Sequence, residues 1–175
     1  MSHFYAVEGK SRYQLRIFAK QIRRKFKLNS CPFVPVVQLL DIIALQDNRF
    51  RYEIIPDEEL AKNVHAEMDI ANCVMKIRAS VYDGACRNNG RDRMTIAHEL
   101  AHYFSFCVAG FSLRRTFGKV SVPTYMDPEW QAKCLAAELL MNDELIKSWN
   151  PEKIASICGV TISAARYQYD SIHCK

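Results

Sequence analysis

His98-Glu99-Leu100-Ala101-His102 places two imidazoles and a carboxyl within five residues. Each helical residue turns by about 100°, so positions i and i+4 leave one face a single turn apart. Two imidazole nitrogens so arranged can hold one zinc ion at about 2.0–2.1 Å. Glu99 points elsewhere on the circumference, which suits it to a proton on a water at the metal rather than to the metal itself. With 5 His among 175 residues, shuffling the chain would produce this pattern on the order of once in a hundred trials. The plain alternative is a helix carrying two incidental histidines.

A catalytic zinc needs a third protein ligand and an open position. The longer motif ending in a third histidine fails, because Ser105 and Val108 stand where its Gly and His belong. The next helix offers Glu129 and Glu138. Nine residues apart, they face opposite ways, so at most one meets this zinc. Glu129 falls in a first turn, where an acid also suits capping. Glu138 lies in the apolar run at 135–141 and there needs a partner.

The elements that must position these groups follow from periodicity and caps. Residues 92–108 read as the motif helix, with Ala97, Leu100, Ala101, Phe104, Cys107 and Val108 as its apolar stripe and Gly110 at its end. Asp127-Pro128-Glu129 starts a helix to about Met141. Residues 10–28 form an amphipathic helix on Leu15, Phe18, Ile22 and Phe26, and Pro35 opens another to about Leu45. Strands are expected at 50–54, 64–68 and 73–82, the last two joined through 69–72. The stretch 75–82 is expected to be the edge that pairs with an extended substrate. Residues 57–63 read as a loop or short helix, and 111–125 as irregular. Gly84 and Asn88-Asn89-Gly90 are turn signals. Asn150-Pro151 and Thr161 start two final helices, to about Ile157 and toward Ile172.

Composition bounds the class. The 20.2 kDa chain is 49% apolar and 25% charged, as expected of one globular domain with a real core. Its longest apolar stretch, 33–45, is too short for a membrane span and contains Pro35, Gln38 and Asp41, and the N-terminus lacks a signal-peptide core. Seven scattered cysteines without a C-x-x-C pair form neither a disulfide framework nor a zinc ribbon. A reducing cytoplasm is the expected location. The net charge of +5 is uneven: residues 1–30 carry eight Lys/Arg against one Glu. That basic helix is either a solvated face or a site for phosphates or an acidic partner.

Residues 93–104, Arg-Met-Thr-Ile-Ala-His-Glu-Leu-Ala-His-Tyr-Phe, followed by 129–141, Glu-Trp-Gln-Ala-Lys-Cys-Leu-Ala-Ala-Glu-Leu-Leu-Met, resemble the ImmA/IrrE family of metallopeptidases. The likeness covers about 91–142. It implies that His98, His102 and Glu129 hold one zinc ion, with Glu99 as general base and Glu138 as a buried hydrogen-bonding group. Ala101 replaces a usual Gly, Asn142 a usual Pro, and Lys133 stands where thermolysin-type peptidases carry an acid. The resemblance implies a zinc endopeptidase whose protein substrate is a helix-turn-helix repressor or antitoxin-type partner, cleaved to derepress stress, prophage or mobile-element genes. Zinc would bring the pKa of its water toward about 7. An oxyanion donor is expected among Tyr82, Tyr103, Tyr125 and His65.

The expected fold is a single zincin-like α+β domain over 1–175, mostly helical, with a small antiparallel sheet and a C-terminal helical hairpin at 150–175. Residues 154–166 have a helix-turn-helix rhythm. Arg166 and Gln168 are its groove-reading candidates, opposed by Asp170, and packing on the zinc domain is the expectation instead. His3, His65 and His173 lack ligand spacing. The rival function is a non-catalytic DNA- or repressor-binding regulator with a structural or vestigial zinc site. Membrane association is not expected, and oligomeric state is not legible.

Overall fold

The computed structural model describes residues 4–116 and 122–174. In chain order these form β1 (Phe4–Val7), α1 (Arg12–Lys25), α2 (Val36–Gln46), β2 (Arg51–Ile55), β3 (Ala66–Asp69), β4 (Val74–Arg78), α3 (Ala79–Cys86) and α4 (Gly90–His102). After α4 come β5 (Leu113–Thr116), α5 (Pro128–Leu140), α6 (Asp143–Ile146), α7 (Pro151–Cys158) and α8 (Ile162–His173). The architecture is α+β and mostly helical. His3 lies outside the described residues.

Local chemistry starts most helices. Ser11 and Gln14 form a reciprocal capping box at α1, and Asp127 accepts the Glu129 amide at α5 with Pro128 in its first turn. Asn150 caps α7 and Thr161 caps α8, as their side-chain chemistry predicts. Gly159, at φ +64°, ends α7 in the left-handed region. Gly90 opens α4 where a Cβ would stand 2.6–2.9 Å from the Val160–Thr161 backbone, so α4 and the α7–α8 turn touch main chain to main chain.

Packing centres on α5, which lies between α1 and α4 and buries Ala132 and every residue from Cys134 to Leu140. A helix covered on most sides needs no narrow apolar stripe. One contiguous core joins Ile22, Leu40, Ile77, Leu100, Leu135 and Ile154. Among the described residues no helix is long and apolar enough to cross a membrane.

The expected antiparallel sheet is corrected. The three-stranded sheet has the order β2-β4-β3, with β4 antiparallel to β3 but parallel to β2. The chain between β2 and β3 crosses the sheet, and the tight turn at 70–73 then sends β4 back into the middle. A separate ribbon pairs β1 with β5, in register Phe4 to Thr116, and β5 falls within the stretch read as irregular.

The strand expected at 73–82 stops at Arg78, and residues 79–86, including Gly84, are helical. The cap is borrowed: Asp57 accepts the Ser80 amide at 3.0 Å from 23 residues upstream. The motif helix is regular only to His102. Residues Tyr103–Val108 continue it as a π-helix that buries Tyr103, Phe104 and Ser105.

The basic face of α1 is largely internal. Arg12, Arg16, Lys20 and Arg23 follow helical spacing and all have partners. Arg23 is fully buried and donates to the carbonyls of Leu139, Leu28 and Cys31. Lys20 bridges Asp143 and Glu144 at 2.9 Å each.

Candidate metal centre

His98 and His102 leave one face of α4, their rings edge-to-face with centroids 4.8 Å apart. Their Nε2 atoms stand 3.2 Å from each other. Glu129, in the first turn of α5, places Oε2 3.2 Å from His98 Nε2 and Oε1 3.2 Å from His102 Nε2. Donors about 2.0–2.1 Å from one ion at tetrahedral angles are about 3.3 Å apart, and with one ligand atom each the three groups could hold a metal ion. Hydrogen bonds with His102 and then His98 hold the Glu129 carboxyl well below the usual carboxylate range. These three residues are the candidate ligand group among those described.

Each ligand is held by its element. Arg93 on α4 is buried and stacks over the Phe33 ring at 3.8 Å, and it donates to the carbonyls of Val34, Cys158 and Gly159. Burial lowers its pKa to about 10, still far above neutrality. That guanidinium ties α4 to the end of α7. The π-helical turn puts Phe106 parallel to the His102 imidazole, with centroids 5.9 Å apart and planes within 16°. Phe106 stands four residues after His102, the same helical spacing that brings the two imidazoles together, so its place was legible in the sequence. Among the described residues, neither imidazole Nδ1 makes a hydrogen bond.

Glu99 lies beside the centre with 8% exposure. Burial raises its carboxyl pKa, opposed by the neighbouring imidazoles His98 and His102 and by the Met68 amide. A poorly solvated carboxylate is the stronger base.

Met68 belongs to β3, which with β2 is one of the two edge strands of the sheet and has no further strand beside it among the described residues. The expectation of an edge at 75–82 is therefore wrong, since β4 is flanked by β2 and β3. Arg78 donates its amide to the His65 carbonyl at 3.2 Å, so alternation along the antiparallel pair turns the amides and carbonyls of Ala66 and Met68 outward. Those groups border the cavity that holds His98, Glu99, His102 and Glu129.

An adjoining cleft of about 700 Å³ runs from His98 and Glu99 toward the start of α4, between residues 63–66 and the first turn of α8. Of the four oxyanion candidates, His65 lines it. Tyr103 is buried and donates to Asp47 Oδ2 at 2.9 Å, Tyr82 stacks on Tyr52, and Tyr125 stands half-exposed beside Gly9. Arg91 and Lys133 also line the cleft.

The other expected residues are placed elsewhere. Glu138 faces α1, where it accepts from Arg12 and Arg16. Gln168 is buried, accepts from Arg12 and donates to the Met141 carbonyl, so it is not a groove-reading group. The His173 ring lies against the Tyr169 and Lys147 carbonyls.

No family model, curated protein or solved structure matches the chain.

Proposed function

We propose that this protein is a zinc-dependent peptidase. The observation that carries the reading is a set of three metal-ligand side chains, the two imidazole nitrogens 3.2 Å apart and each 3.2 Å from one oxygen of the Glu129 carboxylate, beside a buried carboxyl and a strand edge left unpaired among the described residues. His98, His102 and Glu129 would hold the ion. When bound, zinc polarises a scissile carbonyl and acidifies water at the site. Glu99 accepts the proton of the attacking water and returns it to the leaving amine. Ala66, through its outward amide and carbonyl, and Met68, through its outward carbonyl, pair with an extended substrate backbone, fixing the scissile bond over the centre.

The resemblance to ImmA/IrrE peptidases supports a protein substrate, a helix-turn-helix repressor or antitoxin-type partner whose cleavage derepresses stress, prophage or mobile-element genes. Seven free cysteines, none in a disulfide among the described residues, suit a reducing cytoplasm.

The test has two readouts. Purified wild type binds about one zinc per chain, Glu129→Ala loses it and Glu138→Ala keeps it. With a reconstituted repressor, Glu99→Gln keeps zinc and loses about 10²- to 10⁴-fold in cleavage rate. Full cleavage by that variant, or a wild type that takes up no zinc, rejects the assignment in favour of a binding protein.

A further inference from the structure

The cleft beside the metal centre has an uneven charge. Its described lining carries Arg91 and Lys133 with His65, and its one acid is Glu99, which the peptidase reading already uses. Neither cation is ion-paired among the described residues. Arg91 Nη2 lies 3.2 Å from His65 Nε2, a contact that helps hold the guanidinium in place. Thr161 and Ser163 line the opposite wall in the first turn of α8, where the helix dipole adds the same sign. Lys133 lies one turn after Glu129, nearer the centre.

From these positions we infer that the Arg91 end of the cleft reads a carboxylate of the substrate. The inference rests on the peptidase reading and names the substrate chemistry of that site. Arg91 and His98 are seven residues apart on α4, about 10 Å along the axis. An extended chain covers that span in about three residues. The preferred substrate therefore carries Asp or Glu about three positions from the scissile bond, or ends there in its own C-terminal carboxylate. Arg91 presents a planar fork that matches either group bidentately. Lys133 adds a less directional charge on the way to the centre. The outward groups of Ala66 and Met68 set the register, so the cation selects which residue follows them.

The probe is a set of acetylated, amidated octapeptides in an Ala-Leu host, with Glu or Lys moved through each position, plus free-C-terminus copies. Binding is read on zinc-loaded Glu99→Gln protein, which holds peptides without cutting them. Glu peptides should bind at least about fivefold tighter than their Lys counterparts at one position, or free C-termini tighter than amidated ones. The first result assigns the carboxylate to a side chain and the second to the chain end. Arg91→Glu should reverse the preference, and Arg91→Lys should keep part of it. Arg91 is exposed in a first turn, where Glu suits the helix, so the variant folds. Equal binding of Glu and Lys peptides, a preference unchanged by Arg91→Glu, or no binding overturns the inference. A preserved preference with no cleavage by wild type instead rejects the peptidase reading alone.

Discussion

Arg16 grips Glu138 with two hydrogen bonds, Nε to Oε2 at 2.9 Å and Nη2 to Oε1 at 3.1 Å, across 122 residues of sequence. Arg12 adds a third bond at 3.0 Å. The carboxylate is almost fully buried, while the two guanidiniums keep some contact with solvent. Removing it strands the cations less severely than in a dry core. Glu138→Ala should lower stability by about 2–4 kcal/mol, read from urea unfolding midpoints. Its zinc content should equal wild type, since Glu129 alone of the two acids faces the histidines.

Phe106 orients His102 by stacking rather than by a hydrogen bond. An aromatic pair of this kind contributes about 0.5–1.5 kcal/mol. Phe106→Ala should therefore weaken zinc binding about two- to tenfold, read by chelator competition, while Phe106→Tyr stays close to wild type. An unchanged affinity in the alanine variant would remove Phe106 from the site.

Gly90→Ala tests the contact between α4 and the α7–α8 turn. Alanine ordinarily favours a helix over glycine by about 1 kcal/mol. Here its Cβ meets backbone atoms of Val160 and Thr161 that cannot rotate away. The substitution should destabilise the protein by about 1–3 kcal/mol, as overpacking does. A raised Tm would show that the turn yields.

Asp47 predicts a pH dependence. Its carboxylate accepts from the Arg49 side chain, the Arg49 amide and the Tyr103 hydroxyl, which hold its pKa well below the ordinary carboxylate value. A lowered folded-state pKa means that the unfolded chain binds the proton first. The stabilisation is thus present above the ordinary carboxylate pKa and is lost as pH falls through the lower, folded-state value. Asp47→Asn should have a lower Tm than wild type at pH 7, and the gap should narrow below about pH 4. A constant gap from pH 7 to pH 3 would contradict the ionic role.

Local spacing made the centre legible. Histidines four apart on a helix share a face whatever surrounds them, and Ser11, Asp127, Asn150 and Thr161 announce helix starts through bonds two or three residues long. The opposed directions of Glu129 and Glu138 also follow from helical rotation, and the structure separates them as that rotation requires. The four-residue rhythm of Arg12, Arg16 and Lys20 stood in the sequence too. A basic stripe reads as solvated until its carboxylates, more than 120 residues away, are known.

By itself the sequence determined that two imidazoles share one helix face with Glu99 beside them, and that of Glu129 and Glu138 on the next helix at most one can join them. Tertiary structure decided what depends on distant partners. Asp57 converts the end of an expected strand into α3 by capping it from another segment. The crossover leaves β3, not β4, as the open edge at the centre. The first turn of α8 closes the cleft opposite Arg91. Helical periodicity is set by bonds four residues long, whereas strand order, borrowed caps and cleft walls arise when segments far apart in the chain bury a common surface.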